Sequence, residues 1–387
     1  MTHRVHLDFA STAPLRAYVR EAMNLAINTS PFDPRRLYDD AMGTRYAIET
    51  SREHVANFFG CDPFEVIFTS SSTESLATFA FGVIPTHENR FVQASGSAQR
   101  FSVIGTPYDS EVIYETWLRE NIDIQMLAGN SSATLEINNL SEMITDETLA
   151  ITIPFAHPDT GTLQNIEEIT AIVRNKNPHC IIHVDARTAC GNAILNFAEM
   201  GIDAMTVDPV IFGGPSGVAA LILSSQCHLS PLLVGATQER ARRSGLENVI
   251  GIAGFGALCE HAEKTLDQEI KHNHEIKSAV CEALRAAKTQ SLDSDPASQH
   301  TLSNMTSAYF PGVAASAVVA EFNRLGINIH AGSSCGSEEF EPSAQLAPVT
   351  GDDSISESVF RVSWGWSTTH EDIDQFVAAL ASLPFSQ

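Results

Sequence analysis

Lysine is scarce in this sequence. Of 23 basic residues only five are lysines (Lys176, Lys264, Lys271, Lys277 and Lys288), and none lies between 177 and 263. A site built from the middle of the chain therefore has no primary amine of its own, and arginine, which stays protonated, cannot replace one as a nucleophile. Basic residues are outnumbered by 47 acidic ones, for a net charge of −24. Such a surface repels phosphate backbones and anionic lipid, which argues against nucleic-acid and membrane-surface binding. Paired cysteines are also missing. The seven, at 61, 180, 190, 227, 259, 281 and 335, are scattered and never form CxxC, which is neither a disulfide framework nor a zinc site. No window approaches the roughly eighteen-residue apolar run of a membrane helix. The start, MTHRVHLDFASTAPL, lacks the basic-then-apolar pattern of a signal peptide, so the expected location is the cytoplasm.

What remains is a soluble globular composition, 43% hydrophobic and 18% charged over 387 residues, long enough for two domains. Apolar runs at 65–69, 149–155, 180–186, 204–212 and 218–224 alternate with helical patterns such as IEEITAIVRN at 166–175. That alternation predicts an α/β fold with a mostly parallel sheet. From residue 247 an amphipathic stretch reads as one long helix or two, leading to a smaller α+β region. The expected division is a large domain over 15–255 and a small one made of 1–14 and 256–387. The stretch MTVDPVIFGGPSGVAALILSS (205–225) reads as strand, tight loop, strand, with Gly213, Gly214 and Gly217 serving the turn.

Ligands of open parallel sheets bind at the carboxyl ends of the strands, and that edge selects the candidates. Ser70, Ser71, Ser72 and Thr73 crowd a helix start, an anion site suited to a phosphate or equally a plain cap. Asp185 ends the strand CIIHVDA and is placed to pair with a protonated ring nitrogen, or to serve as a loop aspartate. Together they suggest a phosphorylated heteroaromatic cofactor. Cys335, in HAGSSCGSEEFEPS, has loop surroundings and reads as an exposed thiol, although Glu338, Glu339 and Glu341 would raise its pKa.

The chain resembles the cysteine desulfurases (NifS/IscS) of the class V aminotransferases. LDFASTAPL, EVIFTSSSTES, DTGTLQNIEEI, IIHVDA, PLLVGATQERARRSGLENVIGIAGFG, AGSSCGSEEFEPS and VFRVSWGWSTTHEDID carry the likeness end to end. The resemblance implies the PLP-dependent transferase fold type I, with a large domain on a mostly parallel seven-stranded sheet and a smaller α+β domain. It also implies a homodimer, and cysteine as ancestral substrate. Carried over residue by residue, it keeps Ser72 and Thr73 at the phosphate loop, Asp185 at the ring-nitrogen position, Cys335 at the persulfide position and Arg361 at the substrate-carboxylate clamp.

Elsewhere the family's contacts are replaced. Ile211 stands at the Schiff-base lysine, Asp109 at the ring-stacking histidine, and Pro158 at the asparagine near the phenolic oxygen. Thr188 stands at the glutamine after the aspartate motif, and Leu246 at the threonine that reaches the partner subunit's phosphate. Isoleucine forms no imine, and Lys176 precedes its strand by enough chain to lie on the order of 16 Å away, at the wrong end of the sheet. No covalent cofactor is expected, and PLP at most non-covalently. No metal site is expected. The leading reading is a binding, scaffold or regulatory homologue, with an active paralogue as one partner. The alternatives are PLP-free persulfide carriage through Cys335 to a sulfur acceptor, and an enzyme holding PLP without a bond. Asp109, Asp185 and Asp208 are expected to converge with Arg187 and Arg361, a setting for a small zwitterionic ligand.

Overall fold

The computed structural model describes residues 4–30, 32–84, 101–292, 300–332 and 343–386. After a two-residue strand, β1 (Val5–His6), come two helices, α1 (Ala17–Thr29) and α2 (Asp39–Phe59). Seven strands then build the main sheet: β2 (Val66–Thr69), β3 (Ser102–Gly105), β4 (Asp123–Met126), β5 (Thr148–Pro154), β6 (Ile181–Asp185), β7 (Ala204–Val207) and β8 (Ala219–Leu223). Their order is β2-β8-β7-β6-β5-β3-β4. Only β8 runs antiparallel to its neighbours, so β2, β3, β5, β6 and β7 all present their carboxyl ends at one edge.

The crossovers between these strands include α3 (Ser72–Gly82), α4 (Glu111–Arg119) and α5 (Ile166–Lys176). Because helices cover both faces, β7 and β8 are buried at every position, the pattern that parallel crossover sheets impose. One face carries a large cluster including Val55, Phe59, Phe68, Val184, Met205 and Phe255. The other packs Leu76, Phe79, Val103 and Leu221 around Trp117, whose indole N–H donates to the Ala80 carbonyl at 3.0 Å. Each fully buried Phe or Leu contributes about 1.5–3 kcal/mol by transfer from water.

The amphipathic stretch after 247 is a single helix, α6 (Val249–Ala286), 38 residues long. Its first half packs Ile252, Phe255 and Leu258 into the large cluster; its second half gives Ile276, Val280 and Leu284 to another apolar cluster. That second cluster also takes Val5, Leu7, Phe322, Phe360 and Trp364, under β9 (Gln290–Ser291), β10 (Met305–Tyr309), α7 (Ala315–Arg324), β11 (Ile327–Asn328), β12 (Val359–Ser363) and α8 (His370–Ser382). The amino-terminal strand β1 pairs with β11, Val5 beside Ile327, which returns the chain's start to its end.

One local difference from the sequence reading has a simple cause. The run 204–212 is not one strand: β7 stops at Val207, and Asp208 Oδ1 accepts from the Val210 amide at 2.9 Å, turning the chain into a short 3-10 helix at Val210–Phe212. Pro209, which lacks an N–H, cannot continue the ladder. In the loop that follows, Gly213 (φ +94°) and Gly217 (φ +84°) take left-handed conformations, and a Cβ on Gly213 would meet Arg16 at 2.6 Å and Trp366 at 2.8 Å. The loop closes on Arg16, whose Nε donates to the Phe212 carbonyl at 2.9 Å while its other nitrogens pair with Glu269.

At Gly256 α6 packs tightly against α2, where an added Cβ would lie 2.6 Å from Ser51 Cα. Gly256→Ala is therefore expected to destabilise by about 1–3 kcal/mol, because the Ser51 backbone cannot yield; urea unfolding measures it. Helix propensity alone predicts a gain of up to about 1 kcal/mol for the same change, so even the sign is informative.

Candidate functional site

The carboxyl edge of the sheet gathers Ser70–Thr73 after β2, Thr106–Asp109 after β3, Phe155–Asp159 after β5, Asp185–Arg187 after β6 and Asp208–Gly214 after β7. Asp185 is 8% exposed, and its carboxylate is filled by a residue two positions on. Oδ1 accepts the Arg187 amide at 3.1 Å and Nε at 2.9 Å, and Oδ2 accepts Nε at 3.0 Å and Nη2 at 2.7 Å. A carboxylate has about four lone-pair sites, so the group expected to face a ring nitrogen is already satisfied. Burial is the largest single influence and by itself would raise the Asp185 pKa, but the charge of Arg187 and its side-chain and backbone hydrogen bonds act together to hold the carboxyl below its ordinary value.

Asp109 is 4% exposed and lies close enough to Asp185 to sense its charge. Its Oδ2 accepts the Thr106 amide at 2.7 Å and the Thr106 hydroxyl at 3.1 Å, and its Oδ1 accepts the Thr152 hydroxyl at 3.3 Å. Burial dominates, with the Asp185 charge adding to it, and the carboxyl is pushed up to about 8. At neutral pH it is mostly a neutral acid.

From Thr152 a polar chain continues beneath the edge. The Thr152 hydroxyl meets His183 Nδ1 at 3.0 Å, and His183 Nε2 meets the Thr206 hydroxyl at 2.9 Å. Sheet register creates it, since Thr152 and His183 are paired neighbours on β5 and β6. Phe79 stacks on the imidazole at 4.2 Å, and burial drops the His183 pKa to about 4, so the ring is neutral.

At the start of α3, Ser71 caps the helix by accepting the Glu74 amide at 3.2 Å. Glu74 reaches back to take both the Ser70 amide and the Ser70 hydroxyl, and it pairs with Arg243 at 2.8 Å. Donors that would face an anion are thus partly engaged by the protein itself, while Thr73 is exposed and Ser72 buried.

The expected convergence holds in part. Asp208 adds its charge to Arg187, so Asp109, Asp185, Arg187 and Asp208 form one electrostatic group. Arg361 does not join it. From β12, and 7% exposed, it donates through Nη1 to the Pro158 carbonyl at 3.0 Å and through Nη2 to the Ser11 hydroxyl at 3.0 Å, with Asp8 and Asp159 at 3.5 and 3.6 Å. The cause is tertiary: β1 and β11 bring Asp8 and Ser11 over β12, which no local pattern announces. Beside it His157, fully buried, accepts the Asp159 and Thr160 amides at Nδ1 and meets the Gln345 carbonyl through Nε2.

Of the remaining expected positions, Ile211 packs against the large cluster and Thr188 lies in the short 3-10 turn Arg187–Ala189. Leu246 is 62% exposed. Cys335, with Glu338, Glu339 and Glu341, lies outside the described residues. Sequence reading missed the Arg187 clasp, the Thr152–His183–Thr206 chain and Arg243 at the α3 start. The first had a signal, the D-A-R spacing; the others depend on strand register and a long-range return of the chain.

The sequence matches the aminotransferase class-V family over residues 5–376. The chain belongs to the class V aminotransferases. Within the family it is 27% identical over 377 residues to the cysteine desulfurase IscS of Dictyoglomus turgidum, covering 97% of this chain and 93% of the relative. It is 28% identical over 384 residues to the cysteine desulfurase of Nostoc, covering 98% and 92%. A solved NifS-like protein superposes with a TM-score of 0.88 at 25% identity, over 98% of both chains. The architecture is the PLP-dependent transferase fold type I, as the resemblance implied. Among the described residues of this class V aminotransferase, no helix is long and apolar enough to cross a membrane and no cluster of His, Cys, Asp and Glu is arranged to hold a metal.

Proposed function

We propose that this chain is a cysteine desulfurase homologue that does not run covalent PLP chemistry and works as a binding or regulatory protein. The observation that carries the proposal is the filled Asp185 carboxylate, together with Ile211 where the family's lysine stands and no lysine from 177 to 263. A cofactor ring nitrogen would have to displace a two-pronged arginine, no amine is at hand to bind an aldehyde, and the stacking position carries the buried acid Asp109. The residues present do not fit the family's cofactor.

The same reading includes a homodimer. Large apolar side chains stand exposed on neighbouring segments, among them Leu37 (86%), Tyr46 (76%), Val234 (84%) and Leu246 (62%). Such a surface on an otherwise acidic protein favours a protein partner, and a second copy or an active relative satisfies it.

The test is a titration of the purified full chain with PLP, read by absorbance, by borohydride trapping with intact mass, and by dialysis. The expected result is neither a saturable spectrum nor an adduct. A dialysis-resistant spectrum without an adduct returns non-covalent PLP to the front, and sulfide release from cysteine on adding PLP overturns the proposal. Persulfide labelling that disappears in Cys335→Ser establishes sulfur carriage instead.

A further inference from the structure

Arg187 has a role that the loss of cofactor contacts does not by itself require. A buried carboxylate at the end of a parallel strand is costly unless a cation faces it. In this chain Arg187 folds back on Asp185 with both Nε and Nη2, and its own amide joins them. Asp208 lends its charge to the guanidinium from the turn after β7, while Asp109 is kept close by without adding a full charge at neutral pH. The Arg187 side chain is 30% exposed, against 9% for Asp185. Its outer side therefore meets solvent while its inner side seals the carboxylate.

Resting on the reading above, we propose that Arg187 is an internal counter-cation that makes this fold stable with nothing bound at Asp185. Without it, the Asp185 carboxylate becomes a receptor for small planar organic cations of the guanidinium class. The chemistry is that of the clasp itself: a flat, delocalised cation presenting parallel N–H groups to a carboxylate, which a compact ammonium or a sodium ion does not reproduce.

The experiment uses the full chain with Arg187→Ala, Asp185→Asn and the double substitution, followed by thermal unfolding against millimolar methylguanidinium chloride. Sodium chloride at matched ionic strength is the control. Arg187→Ala is expected to melt below the parent. Its melting temperature should rise with the logarithm of methylguanidinium concentration above its Kd, by about 2 °C when the ligand exceeds that Kd tenfold. The parent and the double variant should show no such rise. If Arg187→Ala does not fold, the double variant, which carries no charge at position 185 to leave unpaired, is expected to fold and so isolates the unpaired carboxylate as the cause.

A parent-like melting temperature for Arg187→Ala, an equal rise in the double variant, or failure of the double variant to fold overturns the proposal. The outcome is separable from that of the functional reading. PLP binding by the parent would defeat the latter while the methylguanidinium response of Arg187→Ala still stood.

Discussion

Arg52→Met should lower unfolding stability by about 3–5 kcal/mol, the usual cost of removing one partner from a buried ion pair. Arg52 and Glu239 have side chains only 3% and 2% exposed, and they meet in a two-pronged contact at 2.7 and 2.8 Å. The guanidinium also donates to the Val66 carbonyl at 2.9 Å and lies over Phe68 at 4.8 Å, while Glu239 accepts the Phe68 amide at 2.9 Å. Together they fasten the edge strand β2 to α2. The pair also holds a strained segment, since Glu239, Arg240 and Ala241 all have positive φ (45°, 58° and 64°), conformations that surrounding contacts must enforce in non-glycine residues. With methionine in place of Arg52, Glu239 keeps one amide partner and loses its cation. Denaturant unfolding measures the loss, and Arg52→Met/Glu239→Met should recover part of it, because the uncompensated charge is gone. A single substitution costing under about 1 kcal/mol would show that the pair contributes only as an exposed one does.

Asp109→Asn should shift the pH of greatest stability upward. The folded-state pKa of Asp109, about 8, lies above the unfolded value of about 3.9. Its stabilising effect is therefore complete below about pH 4 and is lost as pH rises to 8, at up to about 1.4 kcal/mol per pH unit. His183 acts in the opposite sense. With a folded-state value of about 4 against about 6.5 unfolded, its contribution is complete above pH 6.5 and is lost as pH falls towards 4. Between 4 and 6.5 the two slopes oppose each other, and above 6.5 Asp109 alone makes the parent lose stability. The substituted amide can still accept from Thr106 and carries no ionisable proton. The variant should overtake the parent progressively between pH 6.5 and 8 and lose more than the parent below 6.5, where His183 is no longer offset. Melting curves from pH 4 to 9 check both limbs. Parallel profiles would mean that Asp109 is ionised throughout.

The elements that sequence made legible are those built from local pattern. The apolar runs at 180–186 and 218–224 read as strands and became β6 and β8, and the helical period at 166–175 matched α5. Where local signals conflicted, the boundary moved: Asp208-Pro209 cut short the apolar run from 204, because a side-chain oxygen on the Val210 amide and a missing N–H outweigh β propensity. The single helix through 249–286 could not be chosen over two, since its halves serve different apolar clusters and no one face is apolar throughout.

At the site the same division holds. Composition by itself determined that residues 177–263 contain no amine, and inventory needs no coordinates. It also determined that acidic residues outnumber basic ones two to one. Tertiary structure alone decided that Arg361 faces Asp8, Ser11 and Pro158 rather than Asp185, because β1 must pair with β11 before those groups meet. It alone decided that Thr152, His183 and Thr206 form a chain, because register across three strands sets which side chains are neighbours. And it alone decided that Asp109 lies near Asp185, from strands separated in the sheet, where burial raises the proton affinity of Asp109 while the Arg187 clasp lowers that of Asp185.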